Sequence, residues 1–181
     1  LLSEAELKQV IAGCKKGNRS AQEALYKAYY KVMISLCLRY TANEEDAVEV
    51  LNNGFLRVFQ NIGRYDPGQA SLYTWIRTLV VNSCLTFIRK KMASEKHCEL
   101  NGADVNVPAD VVSKLKTADL LALVRSLPPA TAAVFNLYAV EGYSHNEIAA
   151  MLSISAGTSK WHLSEARKQL QQKIKEAYAH E

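Results

Sequence analysis

Along most of this chain apolar residues return every three or four positions, the period of an α-helix rather than of a strand. Ser3-x-x-Glu6 and Ser20-x-x-Glu23 both read as capping boxes, in which serine and glutamate satisfy free backbone N–H groups at a helix start. They predict helices of about Glu4 to Cys14 and Ala21 to Tyr40, broken at Gly17-Asn18. In the second helix Ala21, Leu25, Ala28, Val32, Leu36 and Arg39-Tyr40 form one stripe for burial. Asn43 caps a third helix whose first turn, Glu44, Glu45 and Asp46, complements the helix dipole. It runs to about Ile62 and stops at Gly63. Asp66-Pro67-Gly68 then marks a turn, and a fourth helix of about Leu72 to Lys91 ends on the cations Arg89, Lys90 and Lys91.

Periodicity fades at about Ala93. Asn101-Gly102, Asp104, Asn106 and Pro108 punctuate a stretch that reads as a flexible linker. Beyond it, Lys116 to Ser126 is a helix, Pro128-Pro129 start another from Ala130 to Val140, and Gly142 ends that one. Ser144-x-x-Glu147 is a further capping box opening a short helix to about Met151, with Ile148 and Leu152 inward. The turn Ser153-Ile154-Ser155 leads into a long helix from about Ala156 to Ala177. Two helices joined by so short a turn have the layout of a DNA-reading helix-turn-helix. The expected fold is all-α: two small helical domains, 1–93 and 117–181, joined by a linker over 94–116.

At about 100° per residue, Leu163, Ala166, Leu170 and Ile174 fall on the inner side of the last helix. Trp161, Glu165 and Lys168 fall on the outer side beside Thr158 and Ser164, with Lys160 and Arg167 on the flanks, within reach of phosphates or base edges. The same spacing also suits an ordinary amphipathic helix with a solvated outer face.

Charge adds a boundary to this picture. The chain has 181 residues and a formal net charge of +4, too small to argue for nucleic acid by itself. Its distribution is uneven: residues 1–96 hold 14 basic and 9 acidic groups, whereas 97–124 hold 2 and 4. No apolar run approaches the roughly 20 residues of a membrane span, and no secretory signal precedes the first helix. The chain opens on Leu1-Leu2-Ser3 without a methionine, so a short native start is expected to be missing. Cys14, Cys37, Cys84 and Cys98 lie far apart, which points to reduced thiols in a cytoplasmic protein and to no metal site. His97, His145, His162 and His180 show no ligand spacing, and there is no phosphate loop or nucleophile elbow, so an enzyme is not expected. His145 and His162 read as surface residues near DNA.

The segments LP at 127–128, EGYSHNEIAAMLSIS at 141–155, GTSK at 157–160 and AR at 166–167 with Leu170 closely resemble the C-terminal domain of extracytoplasmic-function (ECF) sigma factors, in the sigma-70 family of bacterial RNA polymerase subunits. The first domain is independently similar, through EEDAVEVLNNGFLRVFQNI at 44–62 and SLYTWIRTLVVNSCLTFIRKK at 71–91. The resemblance implies a promoter-specificity subunit without catalytic activity, cofactor, metal or small-molecule substrate. Its partners would be core RNA polymerase, promoter DNA and an anti-sigma factor, with no direct membrane insertion. The rival reading is a stand-alone helix-turn-helix regulator whose first domain senses a ligand or dimerises.

The resemblance also assigns roles. Asp46, Glu49, Leu51, Asn52 and Leu56 would face the polymerase clamp, while Phe55 and Phe59 are better placed for burial. Arg64, Tyr65, Ser71, Tyr73, Arg77 and Asn82 would capture the melted −10 strand, with Arg89 and Lys90 on phosphates; aromatics with cations and amides suit unstacked bases. Arg89 to Lys91 read equally as a solvated helix end, and Trp75 as core. Thr158, Ser159, Lys160, Trp161, Ser164, Glu165, Arg167 and Lys168 would meet the −35 duplex. Trp161 and Glu165 stand where small polar and basic residues are frequent in the family, and Val48 and Asn53 where acids are common. The linker would thread towards the polymerase active-site and RNA-exit channels.

Overall fold

A computed structural model describes residues 3–94 and 122–178. The linker expected over 94–116 lies, apart from Ser94, outside the described residues, as do Cys98, His97, His180 and most of the helix expected over 116–126. Everything regular among the described residues is helical. Two compact units are present: 3–38 with 43–84, and 39–42 with 85–94 and 122–178.

In the first unit α1 spans Glu4–Lys15, with the Ser3–Glu6 capping box formed as expected. The start of α2 differs from expectation. Gly17 takes a left-handed φ of +72°, which turns the chain early. Asn18 then caps α2, its side-chain oxygen accepting from the Ala21 N–H at 3.1 Å, so α2 spans Arg19–Cys37 and Ser20 lies inside it. The expected stripe on α2 is rotated as well. Leu25, Met33, Leu36, Cys37 and Tyr40 are buried, whereas Ala28 is exposed and Val32 is 51% exposed. Within α2, Leu25 and Leu36 share a side with Met33, and the helix packs against α1 and the next helix along the chain.

Asn43 caps α3, Glu44–Asn61, which a single 3-10 turn, Ile62–Arg64, extends. Ser71 caps α4, Leu72–Ser94, its hydroxyl accepting from the Thr74 N–H at 3.1 Å. α3 and α4 approach closely at Gly54, where a Cβ would lie 3.0 Å from Val80 Cγ2 and 3.2 Å from Val80 Cα. Leu51, Phe55, Val58, Ile76 and Val80 fill the space around that crossing.

In the second unit Pro129 sits in the first turn of α5, Pro129–Phe135. Here the chain departs from the single helix expected to Val140. Asn136–Val140 forms a π-helical turn, closed by the Glu141 N–H donating to the Asn136 carbonyl at 3.0 Å. Gly142, at φ +78°, ends it. The Ser144–Glu147 capping box starts α6, His145–Leu152. Ser153, at φ +58°, makes the left-handed turn into α7, Ala156–Tyr178. Ser155 caps α7 by accepting from the Thr158 N–H at 2.9 Å. Val124, Leu127, Ala132 and Ala166 pack as one cluster with Phe135 and Leu170 against it. Ile148, Leu152 and Leu163 are buried between α6 and α7.

Candidate nucleic-acid interface

The helix-turn-helix is α6, the three-residue turn and α7. Lys160, Arg167 and Lys168 are exposed along α7; Thr158, Trp161, Ser164 and Glu165 are half-buried. Ser159 is not on this surface. It is fully buried, and its hydroxyl lies 3.0 Å from His145 Nδ1. It sits four residues before Leu163 and so extends the inner row by one turn. Trp161, expected to project outward, has its indole N–H enclosed, with no hydrogen-bond partner among the described residues. Its ring meets the His162 ring edge-on at 4.8 Å. Glu165 is engaged too, accepting from the Gln169 side chain at 2.7 Å.

Both histidines are half-buried and paired within this unit. His145 stacks on Tyr138 at 4.6 Å with 19° between ring planes, which ties the π-helical turn to α6. Burial holds its pKa below the ordinary value, and the cations Lys160 and Arg167 lower it further. Those two side chains therefore raise the local positive potential at one end of α7, as an anion-binding surface requires. His162 Nδ1 lies 3.0 Å from the hydroxyl of buried Thr131. Burial lowers its pKa, against an opposing pull from Glu165.

A histidine with a depressed folded pKa binds fewer protons than in the unfolded chain below the unfolded value, so the folded state loses stability as pH falls. The stability contributed by neutral His162 is complete above pH 6.5, the ordinary histidine value, and is lost as pH falls from there through the lower folded value. We expect the urea midpoint of this unit to hold above that pH and to drop below it. His162→Gln should flatten the drop; an unchanged acid limb in that variant refutes the assignment.

Over 62–71, Arg64 is exposed, but Tyr65 is only 8% exposed and cannot serve as a base platform. Its hydroxyl donates to the Ala70 carbonyl at 3.2 Å and its ring lies 5.4 Å from Trp75. It staples the loop to α4, consistent with a core role for half-buried Trp75. The Ser71 side chain is spent on the helix cap and on Thr74 Oγ1 at 2.9 Å. Tyr73 is 44% exposed, Arg77 half-buried and Asn82 exposed. Tyr73 and Asn82 are nine residues apart, so they lie about 180° from each other around α4. The row that shares a side with Asn82 is Thr74 and Thr78, both exposed, and the sequence reading passed over them. Their four-residue spacing was the available signal. Arg89 is exposed but turned back on its own helix, donating to the Leu85 carbonyl at 3.4 Å and to Thr86 Oγ1 at 3.2 Å. Lys90 is exposed, and the Lys91 ammonium lies over the Phe87 ring at 4.9 Å.

On α3, Leu51 is wholly buried, so it is core and not a contact residue. Asp46 is half-buried and bound to the Asn43 cap through its own N–H at 2.7 Å. Glu49, Asn52 and Leu56 are exposed, and Val48, Asn53 and Gln60 share their side. Leu56 is 54% exposed and Val48 38%, large apolar groups left in water on an otherwise polar row. Phe55 is buried and Phe59 half-buried.

Residues 25–93 match the model of sigma-70 region 2, and residues 117–170 match that of sigma-70 region 4. The ECF RNA polymerase sigma factor SigM of Mycobacterium tuberculosis is 31% identical over 172 residues, covering 93% of this chain and 83% of that protein. The chain belongs to the sigma-70 family, in its ECF group. Like the other members it directs transcription initiation by RNA polymerase. SigE of Mycolicibacterium smegmatis, also an ECF sigma factor, is 29% identical over 141 residues, which span 75% of this chain and 54% of that protein. Among solved structures, RpoE of Bartonella quintana in complex with the anti-sigma factor NepR aligns at 17% identity and a TM-score of 0.49, over 84% of this chain and 96% of that one.

Proposed function

We propose that this sigma factor divides promoter recognition between two regions: 1–93 for core polymerase and the −10 element, 117–181 for the −35 duplex, with 94–116 as the linker between them. The observation that carries the reading is the capped α6–turn–α7 pair with exposed Lys160, Arg167 and Lys168, in a chain that also matches region 2. α7 would lie in the major groove, with the exposed cations on phosphates and Ser164 near base edges. Thr74, Thr78 and Asn82, with Arg64 before α4 and Lys90 near its end, would hold the melted −10 strand, and Tyr73, on the opposite side of α4, is left out of that row. Glu49, Asn52 and Leu56, joined by Val48, Asn53 and Gln60, would face the polymerase clamp.

The chain would act in the cytoplasm, with no catalytic chemistry of its own. No described helix is long and apolar enough to cross a membrane. An anti-sigma factor would hold it inactive by covering these same surfaces. A stand-alone regulator is disfavoured, because it has no use for a region 2 match beside its helix-turn-helix. In vitro transcription is the test. Core polymerase with the full chain should initiate at promoters mapped after its overexpression in cells, at sites that core alone ignores. Equal transcript with and without the chain would defeat the reading.

A further inference from the structure

The exposed row of α3 contains one polar side chain whose orientation is fixed from another helix. Asn52 is one helical turn from Val48 on one side and from Leu56 on the other, and all three are exposed. The Tyr26 hydroxyl, on α2, donates to Asn52 Oδ1 at 2.9 Å. Tyr26 has little freedom to do otherwise. Its ring packs edge-on against buried Phe55 at 4.7 Å and lies 5.5 Å from Tyr30. Burial raises its pKa, so the hydroxyl stays protonated and able to donate.

The side-chain amide is planar, with oxygen and nitrogen on opposite sides of its carbon. Turning Oδ1 towards Tyr26 therefore turns the NH2 group away from α2. Left alone, an exposed asparagine would sample both orientations, and a partner would bear the cost of fixing one. We propose that Tyr26 is a positioning residue that holds Asn52 as an outward hydrogen-bond donor to core polymerase, between the apolar contacts of Val48 and Leu56. This rests on the clamp-facing reading of α3 given above. The complementary group is a carbonyl oxygen on a positively charged segment. Glu45 and Glu49 are exposed on the same row, and they would repel a carboxylate but attract neighbouring cations.

The test is a double-mutant cycle on full-length chain binding to core polymerase, at a temperature where all four proteins are folded. Tyr26→Phe removes only the hydroxyl, and Asn52→Ala removes its partner. Tyr26→Phe should weaken binding about twofold, the loss expected when an amide held in one of two orientations is freed to sample both, and should have no further effect once Asn52 is alanine. An unaffected Tyr26→Phe protein, or an equal loss in the Asn52→Ala background, overturns the proposal. Leu56→Asp separates the two levels. If it leaves polymerase binding intact, the clamp-facing reading itself fails; if it abolishes binding while the cycle shows no coupling, only the role of Tyr26 fails.

Discussion

Gly54→Leu is expected to destabilise the first unit by about 3 kcal/mol, the upper range for forcing extra carbons into a packed core. Two effects compete at this site. A glycine inside a helix costs roughly 1 kcal/mol relative to alanine, so any side chain gains that much from α3 alone. Against it stands the crossing with α4, where the first added carbon would already lie 3.2 Å from the Val80 Cα. Backbone cannot swing aside as a flexible side chain can, so the helices must separate. Separation opens the contacts of Leu51, Phe55 and Ile76, all almost fully buried. Gly54→Ala tests the balance from the other side. Its propensity gain and its clash are of similar size, so its urea midpoint should fall far less than that of Gly54→Leu. Val80→Ala removes the contact at 3.0 Å but not the backbone one, and should rescue Gly54→Leu only in part. A Gly54→Leu protein with the parent midpoint would show that the crossing is not tight.

Helix existence was legible in the sequence because each start carries its own chemistry. Ser3, Asn43 and Ser144 cap as the local pattern requires. Which face a helix buries was less legible where apolar residues surround it. On α2, Val32 and Met33 are both apolar, and only the position of neighbouring helices leaves the first exposed and buries the second. The same limit explains Leu51. It lies one turn from the exposed row of α3, and α3 has apolar groups on several sides. Tyr65 was unreadable for another reason: its partners, the Ala70 carbonyl and Trp75, come together only when the loop closes. Ser159 is different. Its spacing of four from Leu163 placed it on the inner row, and its polarity concealed that. Buried hydroxyls are tolerated when paired, and the pairing with His145 satisfies this one. The π-helical turn at 136–140 has no sequence signature in this chain, and it carries the Tyr138 ring on which His145 stacks.

Replacing Lys160 and Arg167 together by glutamine should lower promoter affinity of the holoenzyme about 30-fold at 0.15 M salt. The figure follows from counterion release: each phosphate contact contributes a slope of about 0.9 in log affinity against log salt, and two are removed. The slope itself should therefore fall by about 1.8. That readout separates DNA contact from the alternative in which both cations merely solvate the outer face of α7. Stability should scarcely change, since both side chains are exposed and exposed substitutions are worth within about 0.5 kcal/mol. A second consequence is internal to the protein. Lys160 and Arg167 hold the His145 pKa down, after burial, by repelling its proton. Without them that pKa should rise, yet stay below the ordinary value because the ring remains partly desolvated against Tyr138 and Ser159. An NMR titration of His145 reports this with no DNA present. If the pKa rises but the salt slope stays as in the parent, the two cations are where the structure puts them and the −35 duplex lies elsewhere.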